Sequence, residues 1–131
     1  MKALCVLVLV GVAAGCGGTE KEGNGPAVGV AYASGGKRDN SYNQSAALGA
    51  ELVRQRLSLT VREVEPAQFS DLESAIQGLA QAKADLVIAV GPFYPEAVKR
   101  VAPRFPATRF VVIDGEVESL ANVRSIMFRE E

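Results

Sequence analysis

The sequence predicts an α/β domain: a doubly wound, mostly parallel sheet with helices on both faces. Two observations lead there. Along residues 27–131, apolar runs of strand length alternate with segments of helical period, in the order β-α-β-α-β-α-β with a further short strand at the end. Two of the runs, DLVIAV at 85–90 and RFVVID at 109–114, are almost continuously apolar, as strands buried on both faces are. Alternation of this kind places a parallel sheet between helical layers, with right-handed crossovers.

Each element has its local reason. AVGVAYA at 27–33 reads as a buried strand. Residues 42–57 form a helix with Ala46, Leu48, Leu52, Val53 and Leu57 near one period. LTVREV at 59–64 alternates apolar and polar, which suits a half-buried or edge strand. Residues 71–83 put Leu72, Ala75, Ile76, Leu79 and Ala80 on one helical face. After the strand at 85–90 comes a helix carrying Val98, Val101, Ala102 and Phe105, with Pro95 in its first turn, where a missing N–H costs nothing. VRSIMF at 123–128 is the short last strand. Ser41-x-x-Gln44 and Ser70-x-x-Glu73 both fit the capping box, in which each side chain satisfies an orphan backbone donor of the other residue.

The first 26 residues are of another kind. Lys2 precedes ALCVLVLVGVAAG and then Cys16, the order of a short basic region, an apolar region and a small-residue cleavage zone. The apolar run falls short of the roughly 20 residues that a spanning helix needs. Ala13-Ala14-Gly15-Cys16 resembles a bacterial lipobox, with Ala13 in place of the usual Leu. That resemblance implies cleavage before Cys16 and lipidation of its thiol. The expected organisation is a signal peptide at 1–15, a lipidated Cys16 with a Gly-rich polar tether at 16–26, and a domain at 27–131. A cell-membrane location on the extracytoplasmic face follows as an expectation.

Composition excludes several functions. Of the 14 basic and 15 acidic residues only Lys2 lies in the first 15, so the remainder carries a net charge of about −2 and no basic field for nucleic acid. There is no His, which removes catalytic imidazole and imidazole–metal sites. The domain at 27–131 has no Cys and therefore no disulfide. The carboxylates show no metal-ligand spacing, and no cofactor is implied.

In an open parallel sheet, ligands gather beyond the carboxyl ends of the strands. Three turns should leave those ends and share one rim: SGGKRDNSYNQ after the first strand, GPFYP at 91–95, and DGEVES at 114–119. The first is not a Walker A loop, because position 31 is Ala where Gly is required and Arg38 replaces the magnesium-binding hydroxyl. Recognition of a neutral polar ligand is the alternative. Asp39 supplies an acceptor, Asn43 and Gln44 supply donors and acceptors, and Tyr42 supplies a flat face. Each has a structural reading as well: Asp39 capping the helix, Asn43 and Gln44 solvating its first turn, Tyr42 stapled against the core. Asp39 and Asp114 across the rim lack a neighbouring nucleophile, so an enzyme is not expected.

The turn Gly35-Gly36-Lys37-Arg38-Asp39-Asn40-Ser41-Tyr42-Asn43-Gln44 resembles the G-G-x-x-D-x-S-F-N-Q signature of the basic membrane protein (BMP) family. These are lipoproteins that include the purine nucleoside receptor A type of substrate-binding protein for ABC transporters. ADLVIAVGPFYPEAVKRVAPRFPATRFVVIDGEV and NVRSIMFREE extend the similarity over essentially all of 27–131. It implies a lobe of a type I periplasmic-binding-protein fold, in which two α/β lobes clamp a nucleoside. By analogy Tyr42 stacks on the base, Asn43 reads a base edge and Asp39 is the turn carboxylate. Gly91 and Phe93 lie on the second turn, and Asp114 on the third faces a sugar hydroxyl or orders its loop. Tyr replaces the family's Phe, Pro92 interrupts the second turn, and Lys37 and Arg38 are bulkier and more basic than the family pattern. The implied role is solute capture, with an ABC permease as partner and a membrane reached through the lipid. A sensor or a ligand-free surface lipoprotein on the same lobe is the alternative. The resemblance further implies a second lobe beyond residue 131, and hence a chain cut to its first lobe, with feeble binding of its own.

Overall fold

A computed structural model of the chain describes residues 25–128. Cys16, the signal segment and most of the tether lie outside the described residues. The elements run β1 (Ala27–Ala31), α1 (Tyr42–Leu57), β2 (Thr60–Val64), α2 (Leu72–Gln81), β3 (Leu86–Val90), α3 (Pro95–Val101), β4 (Arg109–Ile113) and β5 (Val123–Ile126). Short 3-10 turns precede α2 at Phe69–Asp71 and follow α3 at Ala102–Arg104. All five strands pair in parallel in the order β2-β1-β3-β4-β5.

Strand alternation divides the sheet between two layers. On one face Val87, Ala89, Phe110, Val112 and Val123 meet Leu72, Ile76 and Leu79 of α2 and Val98 and Val101 of α3. Ile76, Val98 and Val101 are fully buried, and each apolar side chain so enclosed contributes about 1.5–3 kcal/mol. All five residues expected on the buried face of α2 are buried. On the other face α1 packs through Ala46, Ala47 and Ala50 against Val28, Val30, Val61, Ile88 and Val90. This layer is thinner. A cavity of ≈ 250 Å³ opens between Ala46, Gly49 and Val53 of α1 and Val30, Ile88 and Ile113 of the sheet.

Two expectations are corrected. The apolar face of α1 is not the one the leucines mark: Leu48, Leu52 and Leu57 are exposed, while Asn43 and Ala50 are the buried residues. Neither capping box forms. Ser41 makes no side-chain cap to α1, whose first-turn donors go to Asp39 instead. Ser70 is already inside the 3-10 turn before α2 and donates its hydroxyl to Asp71 at 3.1 Å.

Candidate functional site at the carboxyl rim

The strand order reverses direction between β1 and β3, so the turns leaving them diverge to opposite faces and open a crevice at the carboxyl end. The three turns expected there do meet. The Gly91 N–H donates to the Ile113 carbonyl at 2.8 Å, joining the second turn to the start of the third. The Tyr94 hydroxyl donates to the Tyr32 carbonyl at 2.7 Å, joining the second turn to the root of the first. Gly91 has φ +110°, and a Cβ there would stand 3.3 Å from that of Ala33. A Cβ on Gly115 would come within 2.9 Å of Val112 and 3.0 Å of Pro95, so the third turn lies directly on the start of α3.

Within the first turn, polar side chains hold the backbone. Asn43 is 1% exposed. Its Oδ1 accepts from the Ala33 N–H at 2.9 Å, and its Nδ2 donates to the carbonyls of Ala33 at 3.1 Å and Gly36 at 3.2 Å. The structure thus gives Asn43 a different task from reading a base edge, because both amide donors end on the chain's own backbone. The Asp39 carboxylate accepts from the N–H groups of Ser41 (2.9 Å), Asn43 (3.2 Å) and Gln44 (3.1 Å), which is the capping alternative. Desolvation would raise the Asp39 pKa, but those three backbone bonds outweigh it and hold it below the ordinary value.

Lys37 does not reach into the crevice as a free cation. Its Nζ lies 3.2 Å from Glu63 and 3.6 Å from Glu65, and its own N–H donates to Glu65 at 3.0 Å. Glu63 also accepts from the Tyr32 hydroxyl and from the Arg54 guanidinium. Burial pushes Glu63 upward, yet the bonds from Tyr32, Arg54 and Lys37 prevail and its pKa falls below the usual carboxylate range. Tyr32 moves the other way, raised by burial and then by Glu63. Glu63 and Glu65 were not singled out in the sequence. The available signal was that Val61 and Glu63 share one side of β2, which put a carboxylate in line with a core valine.

Of the remaining candidates Tyr42 and Phe93 are exposed and Asp114 is half-buried. Tyr42 is 40% exposed, its ring centroid 6.1 Å from that of Phe128. It borders an open surface groove shared with Asn40, Ser41, Gln44, Ser45 and Leu48. Phe93 is exposed and meets Phe69 edge-on with centroids 4.8 Å apart. Phe69 belongs to the connection after β2, a segment absent from the expected rim. Asp114 has φ +59°, a conformation that Asp tolerates better than most residues, and its N–H donates to Ile126 at 2.7 Å. Its carboxylate accepts no hydrogen bond among the described residues. No group of three or more carboxylate, Cys or His side chains suited to a metal occurs among the described residues.

The model of the Bmp family, described as ABC transporter substrate-binding protein PnrA-like, matches residues 27–131. The chain belongs to this family. An uncharacterized lipoprotein of Pyrococcus furiosus is 34% identical over 128 residues, covering 95% of this chain and 32% of its own length. Another from Pyrococcus abyssi is 34% identical over 131 residues, with the same shares. The chain therefore spans about a third of the length of the curated relatives it matches. Among solved structures, an ABC transporter solute-binding protein of Aeropyrum pernix K1 is 32% identical, with a TM-score of 0.75 over 81% of this chain and 29% of its own. A lipoprotein fragment of Peptoclostridium difficile 630 is 27% identical, with a TM-score of 0.70 over 79% of this chain and 85% of its own. The sheet is thus that of a periplasmic-binding-protein lobe, and the Bmp family and the Aeropyrum pernix neighbour are substrate- and solute-binding proteins rather than enzymes.

Proposed function

We propose that residues 27–128 of this Bmp-family chain form one wall of a nucleoside-binding clamp, serving an ABC importer from the extracytoplasmic face of the membrane. The observation that carries the reading is the exposed Tyr42 ring at the carboxyl rim, set on a turn that Lys37, Asp39 and Asn43 hold in place. A ring held this way stacks on a base without reorganisation. The carboxylate of Asp114, which accepts no hydrogen bond among the described residues, suits a sugar hydroxyl, Gly91 lets the second turn close onto Ala33, and Phe93 flanks the crevice. Asp39 and Asn43 contribute by fixing the turn. A purine nucleoside fits this set of one flat face for the base and one carboxylate acceptor for the sugar.

One wall encloses half a solute. Small ligands bind when most of their surface is buried. A second lobe opposite Tyr42 is part of the proposal, in keeping with relatives three times as long. Anchoring through a lipid on Cys16 is proposed on the lipobox-like stretch and on the lipoprotein names of the Pyrococcus relatives. Mass spectrometry of the membrane-extracted protein tests it: a diacylglyceryl adduct on Cys16 supports the anchor, and an unmodified thiol removes it.

The stacking role is tested in a two-lobe protein carrying this lobe. Stacking on an aromatic ring is worth about 1–3 kcal/mol per base. Tyr42→Ala should therefore weaken nucleoside binding about 5- to 150-fold by calorimetry, and Tyr42→Phe should preserve it. Equal affinity in all three proteins removes Tyr42 from the site.

A further inference from the structure

We infer that Lys37 is a latch and Glu63 its strike: together with Glu65 they position the first turn from β2, and Lys37 is not a contact for the solute. The inference deepens the proposed function, because it concerns the turn that carries Tyr42. It stands on geometry independent of any ligand.

Gly35-Gly36-Lys37 after a strand has the composition of a phosphate turn, although the Walker A spacing is absent. The structure spends that lysine. Its ammonium lies between two carboxylates, 3.2 Å from Glu63 and 3.6 Å from Glu65, and 5.6 Å from the centroid of the Tyr32 ring. The backbone joins in: the Lys37 N–H donates to the same Glu65 at 3.0 Å. A side chain at position 36 would crowd that carboxylate, since a Cβ there would stand 3.1 Å from Glu65 Oε2. The contact therefore involves both the side chain and the main chain of the turn.

Glu63 gives the contact its rigidity. Its side chain is only 13% exposed, against 45% for Glu65. It accepts from the Tyr32 hydroxyl at the root of the turn and from Arg54 on α1, and Arg54 is fixed in turn by a bond to the Val61 carbonyl at 3.0 Å. Tyr32 is fully buried, and its carbonyl receives the Tyr94 hydroxyl from the second turn. A single carboxylate thus touches the root of the first turn, its lysine and the helix that follows it. Exposed ion pairs hold little, whereas a half-buried network with every member bonded defines one arrangement. With Lys37 paired in this way, its ammonium is held by the chain's own carboxylates rather than offered to a solute.

Amide hydrogen exchange by NMR on the full chain tests the latch without a ligand, so its failure is separate from a failure of the nucleoside reading. Lys37→Met should speed exchange of the hydrogen-bonded turn amides of residues 37, 41, 43 and 44 at least tenfold and leave those of β3 unchanged. Glu63→Gln should do the same, and the acceleration in the double variant should fall short of the product of the two single effects. Lys37→Arg should restore slow exchange. Lys37 is at the surface, so Lys37→Met remains informative if Glu63→Gln does not fold. Turn amides that exchange at the original rate in Lys37→Met, a uniform acceleration that includes β3, or single effects that multiply in the double variant would each overturn the inference.

Discussion

Asp39 and Asn43 hold the same turn by opposite chemistry, and substitutions should separate them. Asp39 acts as an anion facing three N–H groups, and its folded-state pKa is depressed. Its stabilising effect is therefore present above the unfolded value and lost as pH falls through the lower folded value. Asp39→Asn should melt below the parent at pH 7, and the gap in Tm should close as pH drops below the ordinary 3.8. A gap independent of pH would mean that the carboxylate charge is irrelevant. Asn43 acts as a donor to two carbonyls in a buried site. Asn43→Ala should cost about 1–3 kcal/mol, the penalty for leaving such groups unpaired. Asn43→Asp should cost more, because a carboxylate would face the Ala33 and Gly36 carbonyls; denaturant unfolding of both variants checks the order. The sequence made this decapeptide conspicuous but left the direction of its side chains open. Asp, Asn and Gln before a helix serve a ligand or the backbone equally well in composition. Only the path of the turn back onto Ala33 decides between them. Tyr42 was left equally open there, and the structure exposes its ring.

At the scale of elements, legibility followed side-chain size. Helix α2 faces a full sheet with large residues, so its period named all five buried positions. Helix α1 faces the sheet with Ala46, Ala47 and Ala50 and turns its leucines outward, so a reading weighted by large apolar residues chose the wrong side. The thin layer has a consequence for stability. Gly49 lies in the middle of α1 beside the cavity, and a Cβ there meets nothing within 4 Å. Gly49→Ala should stabilise by about 0.5–1 kcal/mol through helix propensity alone. That corresponds to a Tm higher by roughly 2–8 °C for a domain of this size. A lower Tm would show that α1 sits closer to the sheet than described. The contacts between turns make the reverse case. Gly115→Ala forces Val112 or Pro95 to move, and should both destabilise the fold and loosen the third turn against α3.

For the whole molecule, the topology was legible because continuous apolar strands alternating with helices leave few arrangements, and the order β2-β1-β3-β4-β5 places β3 and β4 inside as their composition requires. The rim was legible for the same reason, since strand polarity alone brings the turns to one end. The fourth contribution, Phe69 from the connection after β2, was not: nothing in EPAQFS marks a partner for Phe93. A single wall should bind its solute weakly and still in the right place. The measurement that tests this most directly is a chemical-shift titration of the 15N-labelled chain with a purine nucleoside at millimolar concentration. The expected result is fast-exchange shifts confined to residues 35–44, 91–94 and 114–117, with Tyr42 among the largest. Shifts clustered at the opposite end of the strands, or none at the rim up to the solubility limit, would contradict the account.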